Sequence, residues 1–284
     1  MNIDTWLKWA RQQLETAGIG TARLDSLVLL EDVTGKDRGW LLANPETKIK
    51  PVQQAKLTKL LNQRIRHIPL AYVRGKTEFY GRNFVITAAV LEPRPESETM
   101  IDLLGQLSAT GKLEPENDKN RRKTLKVADV GAGSGALGIT AWLEFPEDQK
   151  VQVDLLEIDP EAAKIAKINV EKHTTSISVI ESDLLEQSSK DYAVLLCNLP
   201  YVPDDHTVNQ AALHEPKIAI FGGPDGLELY RRLFKQVSAL AKRPLYILTE
   251  SLPPQHKALA AIAARHDYQL EQTDDFIQVF SGRA

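Results

Sequence analysis

Apolar residues recur every three to four positions through the first 70 residues, and this spacing predicts helices. Trp6, Trp9, Ala10 and Leu14 form one stripe before Gly18, which makes both tryptophans core aromatics. Leu24, Leu27, Val28, Leu30 and Val33 form a second apolar face closed by Gly35. Pro51 opens a third helix carrying Val52, Ala55, Leu60, Leu61 and Ile65, since proline suits the first helical turn. A short helix is also expected around Trp40, so residues 1–72 read as a small helical domain. The period changes over 73–90, where Phe79, Phe84, Val85 and Ile86 flank Gly81-Arg82-Asn83 as in a linking β-hairpin. Two prolines in Pro93-Arg94-Pro95-Glu96-Ser97-Glu98 then stiffen the approach to a helix over 98–107.

Beyond this helix, short apolar runs alternate with helical ones. Leu125–Val130, Val151–Glu157 and residues 177–180, 192–197 and 245–250 read as strands, with helices over Pro160–His173 and 227–241 between them. That alternation predicts an α/β class, with a mostly parallel, doubly wound sheet across 91–284. Residues 268–273 and 276–281, around Asp274-Asp275, are expected to add an antiparallel hairpin.

The first of these strands runs into Gly131-Ala132-Gly133-Ser134-Gly135 and then an apolar helical run over 136–145. Glycines let a backbone approach a ligand closely, and the N-terminus of a helix offers free N–H groups. The next apolar run ends in Glu157, 22 positions after Gly135, where a carboxylate grips a ribose diol in doubly wound nucleotide folds. Gly131, Gly133 and Ala136 also satisfy the dinucleotide fingerprint, so the loop by itself allows a pyrophosphate cofactor or S-adenosylmethionine. The choice turns on Asn198-Leu199-Pro200-Tyr201, which closes the buried run Leu195-Leu196-Cys197. A conjugated nitrogen is a poor nucleophile, and a site that alkylates it takes its N–H bonds into acceptors held in one plane. The Asn198 side-chain oxygen and the Leu199 carbonyl would be those acceptors. Pro200 restricts Leu199 to an extended backbone, and Tyr201 offers a flat face for stacking. Such a turn has no obvious use in hydride transfer, which favours S-adenosylmethionine.

Composition narrows the picture further. A net charge of −3, from 35 basic and 38 acidic residues, gives no general attraction to a nucleic-acid backbone. The densest basic run, Lys119-Asn120-Arg121-Arg122-Lys123, lies in a polar stretch that reads as a solvated loop. With 43% hydrophobic residues the chain has enough for a sizeable core, and no apolar run of spanning length or leader-like start is present. Neither a membrane span nor a signal peptide is expected. One cysteine, Cys197, excludes an internal disulfide and suggests a packing role in a cytoplasmic protein. The six histidines lack metal-ligand spacing, so no metal site is expected.

In order, Ala22-Arg23-Leu24-Asp25, Phe79-Tyr80-Gly81, Pro93-Arg94-Pro95-Glu96-Ser97-Glu98, the glycine loop after Asp129, Asn198-Leu199-Pro200-Tyr201, Glu215-Pro216 and Phe221-Gly222-Gly223-Pro224-Asp225-Gly226-Leu227 resemble the release factor glutamine methyltransferases, the HemK-like family. The resemblance covers nearly the whole chain. It implies a class I, Rossmann-like methyltransferase domain behind a helical substrate-recognition domain. It also implies methyl transfer from S-adenosylmethionine, leaving S-adenosylhomocysteine, to the glutamine amide of the Gly-Gly-Gln motif in peptide chain release factors. By that resemblance Asp129, Gly131 and Gly133 line the methionine part of the cofactor, Glu157 binds its ribose hydroxyls and Asp183 lies near the adenine amine, with Ala132, Gly135, Ile158 and Leu184 also cofactor-binding. Asn198, Leu199, Pro200 and Tyr201 would hold the substrate amide, with Asn198 also next to the cofactor.

For Asp183 a helix-cap role competes with this assignment. The family turn reads Asn-Pro-Pro-Tyr, and Leu199 replaces its first proline, which removes some rigidity but keeps the carbonyl. A monomer acting on a protein substrate, with no stable nucleic-acid or membrane partner, is the expectation. A methyltransferase for an exocyclic base amine in RNA or DNA, and a non-catalytic cofactor-binding module, are the alternatives.

Overall fold

The computed structural model describes residues 1–113, 124–146, 151–173, 176–188 and 191–282. Most of the stretch expected to be a solvated loop, including the basic run Lys119 to Lys123, lies outside the described residues. The chain forms two compact units, one from Met1–Lys76 with Val208–His214 and one from Thr77–Thr207 with the chain from Glu215 onward.

The first unit is helical. Helix α1 (Ile3–Thr16) starts where the Asn2 side chain accepts the Thr5 N–H at 2.8 Å, a side-chain cap for a free amide. It buries Trp6, Ala10 and Leu14, while Trp9 is only partly covered. Helix α2 (Ala22–Thr34) ends at Gly35 with φ of 69°, a left-handed closure that glycine adopts without strain. Its buried face differs from the expected one. Leu24 is 47% exposed, whereas Asp25 and Leu29 are buried. Arg64 donates to Asp25 at 2.7 Å, and that pairing lets a carboxylate take a core position and turns Leu24 outward.

Helix α3 (Arg38–Ala43) forms around Trp40, as expected, behind the Asp37 cap. In α4 (Pro51–Ile65) Leu57 and Leu61 are buried but Val52 is 82% exposed, because nine residues place it about half a turn out of phase with Leu61. Val73 and Arg74, expected to open the hairpin, instead end a short helix, α5 (Leu70–Arg74), between Pro69 and a left-handed Gly75.

In the second unit, β1 (Lys76–Phe79) and β2 (Arg82–Val85) are joined by Tyr80 and Gly81, both at positive φ, a turn that matches strand twist. Helix α6 (Glu98–Ala109) follows the 3-10 turn Pro95–Ser97. The chain then alternates β3 (Leu125–Val130), α7 (Ala136–Glu144), β4 (Val151–Glu157), α8 (Pro160–His173), β5 (Ser178–Glu181), β6 (Val194–Cys197), α9 (Glu228–Ser238), β7 (Tyr246–Glu250), α10 (His256–Ala264), β8 (Tyr268–Asp274) and β9 (Ile277–Gly282).

The sheet order is β5-β4-β3-β6-β7-β9-β8. Strands β5 to β7 are mutually parallel, and β9 and β8 add the expected antiparallel edge. Two apolar clusters cover its faces. One includes Leu104, Leu137, Ile139 and Val170 from α6, α7 and α8, and the other Leu233, Phe234 and Leu259 from α9 and α10. The strand order reverses between β3 and β6, which opens a crevice at their carboxyl ends.

Candidate active site

The residues at that crevice are brought together by register. Parallel pairing sets Asp129 beside Leu155 and Leu196, and Cys197 beside Thr249. The chain therefore leaves β3 into the glycine loop, β4 ends on Glu157, and the next residues on β6 and β7, Asn198 and Glu250, come side by side at one edge.

Within the glycine loop, Gly131, Gly133 and Gly135 all have positive φ, which L side chains resist. They differ in what surrounds them. A Cβ on Gly135 would lie 2.7 Å from Leu155 Cδ1, so that glycine serves packing, whereas a Cβ on Gly133 would meet nothing within 4 Å. The Gly133 N–H donates to Glu157 Oε2 at 2.7 Å, and Asp159 N donates to Oε1 at 2.9 Å. The N–H groups of Gly131 and Ala132 both go to Leu156 O, and that of Gly135 to Ala132 O. Asn169 on α8 ties this loop down, donating to Ser134 O at 2.9 Å and pairing both ways with the Val85 backbone.

This arrangement discriminates between the two cofactors the loop sequence allows. The N–H groups of Gly131, Ala132, Gly133 and Gly135, which a phosphate cradle would need free, are already satisfied. Two buried carboxylates, Asp129 and Glu157, sit there without an ion-pair partner among the described residues. A pyrophosphate would be repelled by them, whereas S-adenosylmethionine brings a sulfonium, an ammonium and a ribose diol. The residues present fit the latter.

Burial pushes the Asp129 carboxyl up to about 7, against the opposing hydrogen bond from Gly138 N at 2.8 Å and with help from Glu157. Burial likewise raises Glu157, opposed by the N–H groups of Asp159 and Gly133. A cationic ligand favours ionised Asp129, so its binding should release protons below pH 7, and affinity should rise with pH until about 7 and then level off. Titration calorimetry of S-adenosylmethionine in buffers of different ionisation enthalpy checks this. Proton uptake, or affinity that falls as pH rises, would contradict it.

Of the other expected cofactor residues, Ile158 is half-exposed immediately after Glu157. Asp183 caps no helix among the described residues. It lies in a turn before the buried, left-handed Leu184 and pairs with Arg232 at 2.6 Å.

The Asn198 turn is held from several sides. Asn198 Nδ2 donates to Ser97 Oγ at 2.9 Å, and Ser97 Oγ donates to Glu250 Oε2 at 2.5 Å. Tyr201 OH donates to Glu250 Oε1 at 2.9 Å. Burial drives the Glu250 carboxyl upward, and hydrogen bonds from Ser97, Tyr201 and Asn198 oppose that rise. Among the described residues nothing donates to Asn198 Oδ1 or to the Leu199 carbonyl.

Leu199 itself is buried, and its Cδ2 would lie 3.0 Å from a Cβ on Gly131. Its N–H points at Tyr230 OH, 3.4 Å away, and that hydroxyl is also 2.5 Å from Glu250 O and 3.0 Å from Cys197 O. Packing and a buried tyrosine thus constrain the position where a second proline would have been rigid. Gln255 Nε2 donates to both Tyr201 O and Asp225 O at 2.8 Å, and Arg94 pairs with the buried Glu215 at 2.6 Å.

Sequence reasoning named Asn198, Leu199, Pro200 and Tyr201 but not Ser97, Glu250, Tyr230 or Gln255 as their partners. One signal was present. Glu250 ends an apolar strand, as Glu157 does, and a carboxylate at the end of a buried parallel strand is costly without a purpose. Cys197, by contrast, is fully buried with its thiol pushed up by burial, the inert state a packing role requires.

The family model described as PrmC N-terminal domain matches residues 5–75, and the one described as Methyltransferase small domain matches residues 113–215. A release factor glutamine methyltransferase of Coxiella burnetii is 31% identical, covering 96% of this chain and 94% of its own. That of Bacillus subtilis is also 31% identical, over 86% and 83%. The bifunctional methyltransferase of Rickettsia bellii is 28% identical over 98% of this chain and 53% of its own, so the chain spans about half the length of such relatives. In fold, the chain is similar to the hMettl16 catalytic domain crystallised with MAT2A 3′UTR hairpin 6, with a TM-score of 0.52 at 14% identity over 82% of both chains.

Proposed function

Because the chain belongs to the release factor glutamine methyltransferase family, whose members are S-adenosylmethionine-dependent, we propose that it methylates the side-chain amide nitrogen of the glutamine in the Gly-Gly-Gln motif of peptide chain release factors. The observation that carries this reading is the pair of uncommitted acceptors, Asn198 Oδ1 and the Leu199 carbonyl, on a turn tied to Ser97, Tyr230 and Glu250.

Bound S-adenosylmethionine supplies an electrophilic methyl group on a positively charged sulfur and departs as S-adenosylhomocysteine. Asp129 and the glycine loop would hold its methionine end, Glu157 its ribose hydroxyls, and Asp183 would lie near the adenine amine, with Ile158 and Leu184 also at the cofactor. Asn198 and Leu199 would each accept one N–H of the substrate amide, whose nitrogen takes the methyl carbon as the carbon–sulfur bond breaks and then releases one of its protons to solvent. That places the nitrogen and draws negative charge toward it as positive charge develops. Tyr201, fixed through its hydroxyl, would stack on the flat amide. Positioning of this kind supplies about 7–11 kcal/mol in favourable cases. In this reading residues 1–72 recognise the release factor, 73–90 link, and 91–284 carry the chemistry.

The test is incubation with labelled S-adenosylmethionine and two acceptors, an unmethylated release factor and total unmodified RNA. Label is expected on the release factor alone and should vanish when its Gly-Gly-Gln glutamine is replaced. Label on RNA would overturn the assignment in favour of base methylation. Label on neither, with cofactor bound, would favour a non-catalytic module.

A further inference from the structure

We propose that Ser97 and Glu250 are positioning residues whose hydrogen-bond chain decides which end of the Asn198 amide faces the substrate. The inference rests on the functional reading above only for its consequence, not for its geometry. An asparagine side chain is nearly symmetric in shape, with a donor and an acceptor exchanged by a half-turn. A site that must present an oxygen to a substrate N–H therefore needs something to forbid the flipped state.

The forbidding element begins at Glu250, which is buried at the end of β7 and has no ion-pair partner among the described residues. Both of its oxygens accept from hydroxyls, Oε2 from Ser97 and Oε1 from Tyr201. Ser97 Oγ, 2.5 Å from Oε2, must therefore give its single proton to Glu250. Its lone pairs are left for Asn198, so the atom 2.9 Å away has to be the amide nitrogen. Tyr201 OH fills the other carboxylate oxygen at 2.9 Å. The amide nitrogen is thus directed inward to Ser97 and Oδ1 is turned away from it.

Ser97 reaches this point because Pro95 sets a 3-10 turn before α6, and Glu250 because β7 is in register with β6. The Pro-Arg-Pro-Glu-Ser-Glu segment thereby acquires a role that its sequence does not announce.

Two near-isosteric substitutions separate orientation from folding. Ser97→Ala removes the relay. Glu250→Gln keeps the shape but can offer an N–H to Ser97 Oγ, which frees the serine proton to point at Asn198 and stabilises the flipped amide. Each should lower kcat on the release factor about tenfold to a hundredfold, as loss of a hydrogen bond to a charged group implies, with S-adenosylmethionine affinity unchanged. Ser97→Thr, which keeps the hydroxyl, should restore most of the rate. Asn198→Ala added to Ser97→Ala should cost far less than Asn198→Ala alone, because residues acting as one unit are not additive.

The orientation itself is read without any acceptor. In protein labelled with 15N-asparagine, the Asn198 side-chain signal, assigned by its loss in Asn198→Ala, should be protected from exchange and should shift and lose protection in Glu250→Gln and Ser97→Ala. An unchanged signal in both variants, or fully additive kinetics, overturns the proposal. An inactive wild type on release factors, with the signal behaving as expected, would sink the functional reading alone.

Discussion

Asn198→Ala is expected to reduce methyl transfer about 10²- to 10³-fold while leaving S-adenosylmethionine affinity within about twofold. The size follows from the loss of one preorganised partner for charge developing in the transition state, worth roughly 3–4 kcal/mol. The selectivity follows from position. Asn198 follows β6 and hydrogen-bonds Ser97, whereas the carboxylates suited to the cofactor lie on other strands, Asp129 next to the end of β3 and Glu157 at the end of β4. Its Oδ1 accepts nothing among the described residues, so its removal strands no donor there, and the loss of the Nδ2 hydrogen bond to Ser97 Oγ should lower stability by only about 1 kcal/mol. Single-turnover kinetics beside a cofactor titration measure both quantities. A normal rate would remove Asn198 from its role, and a parallel collapse of cofactor affinity would move that role to cofactor binding.

The second large effect is expected from Gly226→Ala, a residue outside both expected cofactor and substrate sets. Gly226 has a φ of 76°, and a Cβ there would come within 2.0 Å of the Tyr201 carbonyl oxygen and 2.4 Å of Gln255 Nε2. Gln255 can move, but the Tyr201 carbonyl is backbone of the turn that carries Asn198. Overpacking of about 1–3 kcal/mol adds to left-handed strain of roughly 1–2 kcal/mol, so destabilisation of about 3 kcal/mol is expected. Any relief moves Tyr201 and, with it, the acceptors at Asn198 and Leu199. A displacement of about 1 Å costs on the order of a hundredfold in rate. Gly18→Ala is the control, since Gly18 has a similar φ of 78° with nothing within 4 Å. Denaturant titrations of both variants should show a much larger loss for Gly226. Equal losses would mean that strain alone accounts for the effect.

Much of the fold was legible because secondary-structure periods are local. The alternation from Leu125 onward gave the parallel sheet, and Gly35 and Pro51 gave helix limits, since each acts through its own backbone. Errors arose where a charge replaced an apolar residue in the core. Asp25 is buried because Arg64, 39 residues later, pairs with it, and no local pattern reports that. Val52 failed for a related reason, since which face of a helix is covered depends on what packs there.

The chemistry divides in the same way. The amino-acid sequence by itself determined the residue types that can bind a cationic nucleoside and accept an amide N–H: Asp129, the glycines, Glu157 and the Asn198 turn. Their short spacings fix backbone conformation. Tertiary structure alone decided how the turn is aimed. Register between β6 and β7 puts Asn198 beside Glu250, and the 3-10 turn adds Ser97 from 101 positions earlier. The direction of a hydrogen bond depends on which donors and acceptors meet, and here residues distant in sequence meet only once the sheet is assembled.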